Sequence, residues 1–446
     1  MTIKTDLPAA VLTALDILND SGYEAYCVGG CVRDAALGKE PSDYDIATSA
    51  LPEQVVAVFS EFRVIETGLK HGTVTVLIDE MQLEITTFRI DGCYSDGRRP
   101  DSVVFTLSLE EDLRRRDFTI NAMAYSPASG LIDPFGGMED LFGRRIRCVG
   151  NPLERFDEDA LRILRAVRFA STLGFSVEED TAAAVHYECC RLECVSAERL
   201  AAELSKLIVG GNALEVLLEY SDVMAVLIPE IQPCIGFEQH SRYHKYDVWK
   251  HICYAVDSSP PELDIRLAVL LHDIGKPVCF TMDEQGHGHF HGHEKLGSQM
   301  AAEALTRLRY PAAVVNMVKE LIAMHYVLPL PERTYVRRIM SKIGEEKFYK
   351  LIKVISADNS AKAVEADTRL GYAEAMKRFA DELIKENACI KLSDLQINGT
   401  DLIGIGLSGK EIGNMLSLLL EMVIADILPN NHDELMKFAV GNAQNF

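Results

Sequence analysis

The sequence changes character near Gly150, and this change restricts the chain to a mixed N-terminal part followed by helices. Before Gly150, short runs rich in β-branched residues alternate with stretches of helical periodicity. Beyond about residue 154, apolar residues follow a 3.6-residue period and strand patterns almost vanish. We therefore predict an α+β fold, with a sheet in the N-terminal part and helices in the remainder.

Periodicity also places individual elements. In the first part it predicts a helix over 7–18 and strands at 23–28, 43–48, 73–78 and 83–90. In the second part it predicts helices at 157–172, 197–209 and 213–227. Prolines near 229–233 and 329–331 predict breaks between helices.

Composition excludes several classes of protein. The 446 residues have a net charge of −22, which disfavours non-specific coating of nucleic acid or an anionic membrane but permits a local basic groove. Eleven cysteines, with no CxxC pair, indicate a reduced, cytoplasmic protein. The N-terminal residues do not resemble a signal peptide, and the apolar stretch 415–424 is too short to span a membrane.

A glycine turn and two acidic residues indicate a site for phosphate and metal. Gly29 and Gly30 stand where a strand gives way to a helix, so the backbone can approach a phosphate, and Arg33 adds a charged donor. Asp43 and Asp45 lie two residues apart on a predicted strand, which points both carboxylates to one face. Such a pair can hold two Mg²⁺ ions for in-line nucleotidyl transfer. A plain turn or a solvated strand edge explains either motif alone, but not the two together.

Arginine is concentrated in residues 111–170, which contain ten Arg and no Lys. Because guanidinium groups make paired hydrogen bonds to phosphates and base edges, this segment indicates nucleotide contacts. Arg115, Arg116 and Asp117 form its densest cluster, for which a surface ion-pair network is an equal alternative. Glu84, on another predicted strand, is either a third carboxylate for the metals or a solvent-facing residue, and we favour the latter.

A helix beginning near Glu158 is predicted to carry a polar stripe. Asp159, Arg162, Arg165 and Arg168 follow at three-residue intervals and so share one slowly turning face. Asp accepts from an exocyclic amine and Arg donates to ring acceptors, so the stripe is suited to reading a base edge. A surface salt bridge would explain one such pair, but not a whole stripe of Arg without Lys.

These motifs together resemble, in order, those of bacterial-type (class II) tRNA nucleotidyltransferases, the CCA-adding enzymes, which share their head with bacterial poly(A) polymerases. The resemblance rests on GGCVRDAALG (29–38), DYDIAT (43–48), EITTFR (84–89), DGCYSDGRRPDSVVF (91–105), RRDFTINAMAY (115–125), DPFGGMEDL (133–141), EDALRILRAVRFA (158–170) and ERLAAEL (198–204). It covers most of residues 25–205. Residues 390–420 also resemble the C-terminal segment of the family, where glycines either approach RNA or cap helices.

The resemblance implies a polymerase-β-like head at 1–150, a helical neck at 151–230, a helical body at 231–385 and a tRNA-binding tail at 386–446. It implies that Asp43 and Asp45 hold the catalytic Mg²⁺ ions. Contacts to the nucleotide are implied for Gly29, Gly30, Arg33, Arg116, Asp117, Asp159, Arg162, Arg165 and Arg168. Of these, Asp117 would lie near the ribose, and Asp159 and Arg162 would choose C or A. In this family, a loop such as the motif at 91–105 is associated with the ability to add the final A.

Histidines mark a second site, because nine of the twelve lie between residues 240 and 325. Imidazoles and carboxylates from successive helices make a mixed site suited to Mn, Fe, Zn or Mg. The set resembles the signature of HD phosphohydrolases, in which metal-activated water attacks phosphoesters, and comprises His251, His272, Asp273, His293, His325 and Asp358. A structural HD fold without activity is the alternative. We interpret His287, His289 and His291 as a solvated loop.

We therefore interpret the chain as a template-independent tRNA nucleotidyltransferase that adds the 3′-terminal CCA from CTP and ATP. Within this class, an A-adding enzyme or a poly(A) polymerase is the alternative. In a second alternative, from another class, the HD domain is the active part, a phosphohydrolase, and the head is inert. A non-catalytic RNA chaperone is the remaining alternative.

Overall fold

The computed structural model divides the chain into two compact units, residues 1–229 and 230–446. It describes all residues except 1–6, 67, 70–71, 93–102, 242, 327–329, 363–365 and 444–446. The sequence motif 91–105 therefore lies largely outside the described residues. The unit boundary is next to the predicted end of the neck, and the finer division into four parts remains a prediction.

The first unit contains a seven-stranded sheet in the order β3-β4-β5-β2-β1-β8-β9. Its strands are β1 (Ala25–Val28), β2 (Asp45–Thr48), β3 (Arg63–Ile65), β4 (Thr73–Ile78), β5 (Met81–Thr87), β8 (Ala124–Ser126) and β9 (Gly130–Ile132). Within this sheet, β2 and β5 are the only described neighbours that pair in parallel. A separate hairpin joins β6 (Arg89–Asp91) to β7 (Val103–Phe105).

The sheet confirms the predicted α+β head, with two local differences. Along β4, buried Val74, Val76 and Ile78 alternate with half-buried residues, as expected for a strand with one face on the core. The predicted strand 83–90 is divided at Phe88, which is fully buried between β5 and β6. The predicted strand 43–48 begins only at Asp45.

Helices accompany the sheet and continue to the end of the first unit. Those beside the sheet are α1 (Ala9–Asp20), α2 (Gly30–Ala36), α3 (Pro52–Val58), α4 (Leu109–Arg114) and α5 (Gly137–Phe142). Those that follow are α6 (Pro152–Glu158), α7 (Leu161–Leu173), α8 (Glu179–Glu188), α9 (Ala197–Ile208), α10 (Ala213–Glu219) and α11 (Ser221–Leu227). Between them, β10 (Arg145–Ile146) and β11 (Ser176–Val177) form a short parallel pair.

The single helix predicted from Glu158 onward is wrong, because the chain breaks at Asp159. α6 ends at Glu158, Asp159 is extended with φ of −144°, and α7 begins at Leu161. The Asp159 side chain accepts a hydrogen bond from the Leu161 N–H at 3.1 Å and so satisfies a free donor at the start of α7. Asp159 therefore lies at a corner, not on the helical face that carries Arg165 and Arg168.

In the described residues of the second unit, the regular elements other than helices are the two strands of one hairpin, β12 (Thr281–Met282) and β13 (Gly288–His289). Its first helices are α12 (Val248–Ser258), α13 (Leu263–Leu271), α14 (Lys276–Cys279), α15 (His293–Arg307), α16 (Ala312–Met324), α17 (Arg333–Ile343) and α18 (Glu345–Ser360). They are followed by α19 (Ala366–Lys385), α20 (Gly399–Ile403), α21 (Lys410–Ile424) and α22 (His432–Asn442). Buried Arg337 ties α17 to the last helices by donating to the carbonyls of Cys389 and Val423 at 2.9 and 2.8 Å.

Candidate active site and metal centre

Three carboxylates meet in a cleft of about 610 Å³ on the first unit. Asp45 opens β2 and is the register partner of Glu84 on the parallel neighbour β5. Asp43 precedes the strand, but Asp43 and Asp45 are exposed whereas Tyr44 between them is buried, so both acids face the cleft. Glu84 therefore joins the two aspartates in the cleft, although the sequence favoured a purely solvent-facing role.

The charge of this group fits a divalent cation. The protein around Asp45 displaces water and raises the pKa of its carboxyl to about 6; Arg116 opposes this rise, while Asp43 and Glu84 contribute to it. Three carboxylates so close together repel one another, and a bound cation relieves that repulsion. Oxygen ligands of this type are those that Mg²⁺ prefers, so the residues present fit the predicted ions.

The glycine turn brings an arginine beside the carboxylates. Gly29 links β1 to α2 with φ of 77°, a conformation that side-chain-bearing residues rarely adopt. A Cβ atom at Gly29 would lie 3.1 Å from Nη1 of Arg116 and 3.9 Å from Oδ2 of Asp45. A Cβ atom at residue 29 would therefore press on the guanidinium, which would have to shift by a few tenths of an ångström.

Asp112 holds this arginine in place, and the sequence did not single it out. Its fully buried carboxylate accepts from Nη2 of Arg115 at 2.7 Å and from Nη2 of Arg116 at 3.2 Å. Burial alone would raise the pKa of Asp112, but Arg116 and Arg115 hold it below its usual range. The Nε atom of Arg116 is buried and makes no hydrogen bond within the described part of the chain, so it is available to an incoming oxyanion.

A second network joins the glycine turn to α7. Buried Asp117 accepts from Nε and Nη2 of Arg165 at 2.8 and 2.5 Å, and from Nδ2 of Asn121 at 3.0 Å. Asn121 in turn accepts from Nη1 of Arg33 at 2.7 Å, and Arg33 also forms an ion pair with Asp34. Burial would raise the pKa of Asp117, but Arg165 keeps it well below its usual value. Arg33 and Asp117 are thus both held in place by protein partners.

The base-selecting pair predicted from the sequence is also held by partners. Arg199 donates to both carboxylate oxygens of Asp159, at 3.2 and 2.7 Å. Arg162 donates to the Glu158 carboxylate at 2.5 Å and to the carbonyl of Arg115 at 3.0 Å. These contacts fix the direction in which each side chain points, which is what a protein surface that reads a base requires.

Phe169 and Glu203 organise the remaining arginines. The guanidinium carbons of Arg33, Arg165 and Arg168 lie 5.1, 5.4 and 3.5 Å from the centre of the Phe169 ring. Arg168 also donates from Nε to the buried Glu203 carboxylate at 2.7 Å. Sequence reasoning missed Arg199 and Glu203 as individual residues, although they fall four apart on α9 within the motif 198–204.

The second unit brings all six predicted HD residues together. His251 lies on α12, His272 and Asp273 follow α13, His293 opens α15, His325 follows α16 and Asp358 lies in the last turn of α18. Two triads could each hold one ion, His251 with His272 and Asp273, and Asp273 with His293 and His325. Asp273 presents Oδ2 to His272 Nε2 at 3.1 Å and Oδ1 to His293 Nε2 at 3.4 Å.

Hydrogen bonds prepare three of these histidines as ligands. The Nδ1 atoms of His272, His293 and His325 lie 2.6 to 2.7 Å from backbone carbonyls, which leaves Nε2 directed at the carboxylates. His272 Nε2 is buried and makes no hydrogen bond within the described residues. Burial lowers the pKa of His251 and, to about 3, that of His325, so both are neutral and able to ligate. The residues present therefore fit a two-metal centre.

The centre opens into a cavity of about 510 Å³. His287, His289 and His291 line it, together with Lys276, Lys362 and His244. His287 and His289 also face the Asp283 carboxylate at 3.3 and 3.0 Å. These three histidines, which the sequence predicted to form a solvated loop, therefore line the HD cavity.

Known protein families match separate parts of the chain, and their boundaries agree within a few residues with the division of the structure into two units. Residues 25–147 match the poly A polymerase head domain, and residues 174–235 match a probable RNA- and SrmB-binding site of polymerase A. Residues 243–394 match the HD domain. No helix within the described ranges has the length and apolar character needed to cross a membrane.

Whole-chain relatives share one name. The CCA-adding enzyme of Enterococcus faecalis is 34% identical over 95% of this chain and 93% of its own length. That of Leuconostoc mesenteroides is 35% identical over 98% of this chain and 97% of its own length. The structure of the Bacillus stearothermophilus CCA-adding enzyme in complex with CTP superimposes with a TM-score of 0.72 at 29% identity, covering 98% of this chain and 97% of that one.

Proposed function

The chain belongs to the family of CCA-adding enzymes, and from that membership we propose that it builds the 3′-terminal CCA of tRNA from CTP and ATP without a nucleic acid template. The observation that carries the proposal is the meeting of Asp43, Asp45 and Glu84 in one cleft beside the Gly29 turn and Arg116. Carboxylates for metal and a guanidinium for phosphate are the two groups that nucleotidyl transfer requires.

In the proposed reaction, the 3′-hydroxyl oxygen of the RNA attacks the α-phosphorus of the bound nucleotide. A new phosphodiester bond forms as the bond to the β-phosphate breaks, and pyrophosphate leaves. Two Mg²⁺ ions held by Asp43 and Asp45, with Glu84 nearby, would lower the hydroxyl pKa and balance charge on the pyrophosphate. Arg33 and Arg116 bind the triphosphate, and Asp112 fixes the direction of Arg116.

The corner between α6 and α7 supplies the choice of nucleotide. Cytosine carries an exocyclic amine at C4 and adenine carries one at C6, whereas uracil and guanine carry a carbonyl oxygen at these positions. The Asp159 carboxylate accepts a hydrogen bond from the amine and repels the carbonyl, while Arg162 donates to a ring acceptor. Arg165 and Arg168 on α7, together with Asp117, which Arg165 holds, support the ribose and base.

The remaining parts follow from this assignment. We assign residues 151–230 to base recognition, the body to residues 231–385 and tRNA binding to the tail at 386–446. The natural partners are then the tRNA 3′ end, CTP and ATP. A chain that acts on tRNA would work in the cytoplasm, the compartment that its dispersed cysteines predict. The test is lengthening of a tRNA transcript that lacks CCA, in Mg²⁺ and in EDTA, with lengthening expected only with the metal.

The HD centre supports a second activity, because five candidate ligands, with Asp358 beside two of them, and an open cavity lie in a separate compact unit. We propose that it binds two divalent ions and hydrolyses a phosphoester. Metal ions bound there would supply an activated water and polarise the phosphoryl group. The neutral imidazoles of His251 and His325 and the shared carboxylate of Asp273 would hold these ions.

The His272→Ala variant tests this second activity. We expect it to lose at least about a hundredfold in Mn²⁺-dependent hydrolysis of a simple phosphomonoester, because one ligand of the first triad is gone. His432→Ala, on the exposed surface of the tail, serves as the matched control. If His272→Ala abolished the cellular function of the protein while Asp45→Asn preserved it, the HD domain would be the working part and the head inert.

A further inference from the structure

Two lysines neutralise the carboxylates of the HD centre, one on each. Nζ of Lys276 lies 2.6 Å from Oδ2 of Asp273, and Nζ of Lys362 lies 2.6 Å from Oδ2 of Asp358. All four side chains are at least nine-tenths buried. Each of the two carboxylates is therefore paired with an ammonium group, and a divalent ion must enter a site whose acids are already balanced.

The two lysines are held differently. Lys276 also donates to the Gln239 side chain at 2.8 Å and lies 5.4 Å from the centre of the Phe290 ring, so it has partners outside the metal ligands. Lys362 lies two residues beyond the end of α18, and its other described contact is Asn359 at 3.5 Å. The principal partner of Lys362 is thus a ligand carboxylate itself.

The position of Lys362 sets it in competition with a metal ion. Oδ1 of Asp358 lies 3.0 Å from His251 Nε2, and Oδ2 of the same carboxylate faces the Lys362 ammonium. A divalent ion on the histidine side would repel an ammonium held on the other oxygen, and burial makes this repulsion strong. Lys362 lines the open cavity, so its ammonium has space into which it can turn.

We propose that Lys362 is an exchangeable counter-ion, which neutralises Asp358 without metal and binds the phosphate group of the ligand in the cavity once metal is bound. This inference rests on the proposed metal-binding function of the HD centre. With two divalent ions and two lysines against two carboxylates, the loaded centre carries excess positive charge, which a phosphate dianion balances. Metal and phosphate both favour the released position of Lys362, so each must strengthen binding of the other.

The test is Mn²⁺ binding to the full chain, measured by the electron spin resonance of free Mn²⁺ with and without inorganic phosphate. Asp43→Asn and Asp45→Asn are present throughout, so that the head contributes no metal site. In this reference chain, phosphate is expected to tighten Mn²⁺ binding by at least about fivefold. Lys362→Met is expected to bind Mn²⁺ more tightly than the reference without phosphate, and to lose most of the phosphate effect.

Two further variants make the result specific. Lys362→Arg keeps the charge and should behave as the reference, and Lys353→Met removes a lysine that pairs with Glu262 outside the centre. The inference is overturned if Lys362→Met binds Mn²⁺ no more tightly than the reference, or keeps the full phosphate effect. If the reference binds no more Mn²⁺ than its His272→Ala derivative, the metal function itself fails, and this inference with it. Melting curves of each variant confirm that the helices remain folded.

Discussion

Asp45→Asn is expected to lower the rate of nucleotide addition by at least about a thousandfold, because it removes a metal-binding carboxylate at the reacting phosphate. The substitution keeps the size of the side chain, and Asp45 is exposed at the start of β2, so the sheet should form as before. Removing one of three mutually repelling acids should leave the melting temperature unchanged or raise it. Rates are measured in single turnover on a transcript that lacks CCA.

Glu40→Gln is the matched control for Asp45→Asn. Glu40 lines the same cleft and is exposed, but it is not among the three acids that meet on β2 and β5. We expect its variant to remain within about threefold of the unmodified chain. An Asp45→Asn variant that keeps addition within tenfold would contradict the metal role of the cleft and favour an inert head.

Asp159→Ala is expected to relax the choice of nucleotide. The carboxylate is fixed by Arg199, and its loss removes the group that accepts from the amine of C or A and repels the carbonyl of U or G. One good paired base contact is worth about 1–3 kcal/mol of discrimination, so incorporation of UTP relative to CTP should rise between about fivefold and 150-fold. The measurement is competition between the two nucleotides on one transcript.

Asp157→Ala separates base selection from a general loss of charge. Asp157 lies two residues earlier, near the end of α6, and its largely exposed side chain pairs with Arg191 on the surface. This variant should keep the ratio of UTP to CTP incorporation. Equal ratios in Asp159→Ala and the unmodified chain would show that another residue reads the base.

Local sequence patterns predict much of the fold. The alternation of Val74, Val76 and Ile78 is a property of neighbours in sequence, so β4 begins and ends where periodicity predicts. The break at Asp159 depends instead on a side chain that caps the next helix, and the repeating spacing of the arginines concealed it. Periodicity shows which faces of an element are apolar. A polar residue that ends a helix hardly changes this apolar pattern, so the pattern does not predict the break.

The site divides in a similar way. Asp43, Asp45 and the six HD residues could be found because metal ligands are restricted to a few residue types at recognisable spacing. Asp112, Glu203 and Lys362 could not be found from the sequence, because each acts on a partner that is near in space but not marked by a motif. Acidic residues and lysines are also too abundant in ordinary sequences to attract notice by themselves. Their importance appears only with burial and distance, as for the fully buried Asp112 beneath Arg116.

Stepwise extension of three tRNA transcripts, ending before CCA, after C and after CC, distinguishes CCA addition from its alternatives; each transcript receives Mg²⁺ and labelled CTP or ATP alone. The expectation is that CTP adds two, one and no nucleotides in that order, and that ATP adds a single A to the transcript ending in CC. Addition of A alone to that transcript, with no use of CTP, would contradict it and indicate an A-adding enzyme. Unlimited A addition would indicate a poly(A) polymerase, and no incorporation at all would leave the HD centre as the active part.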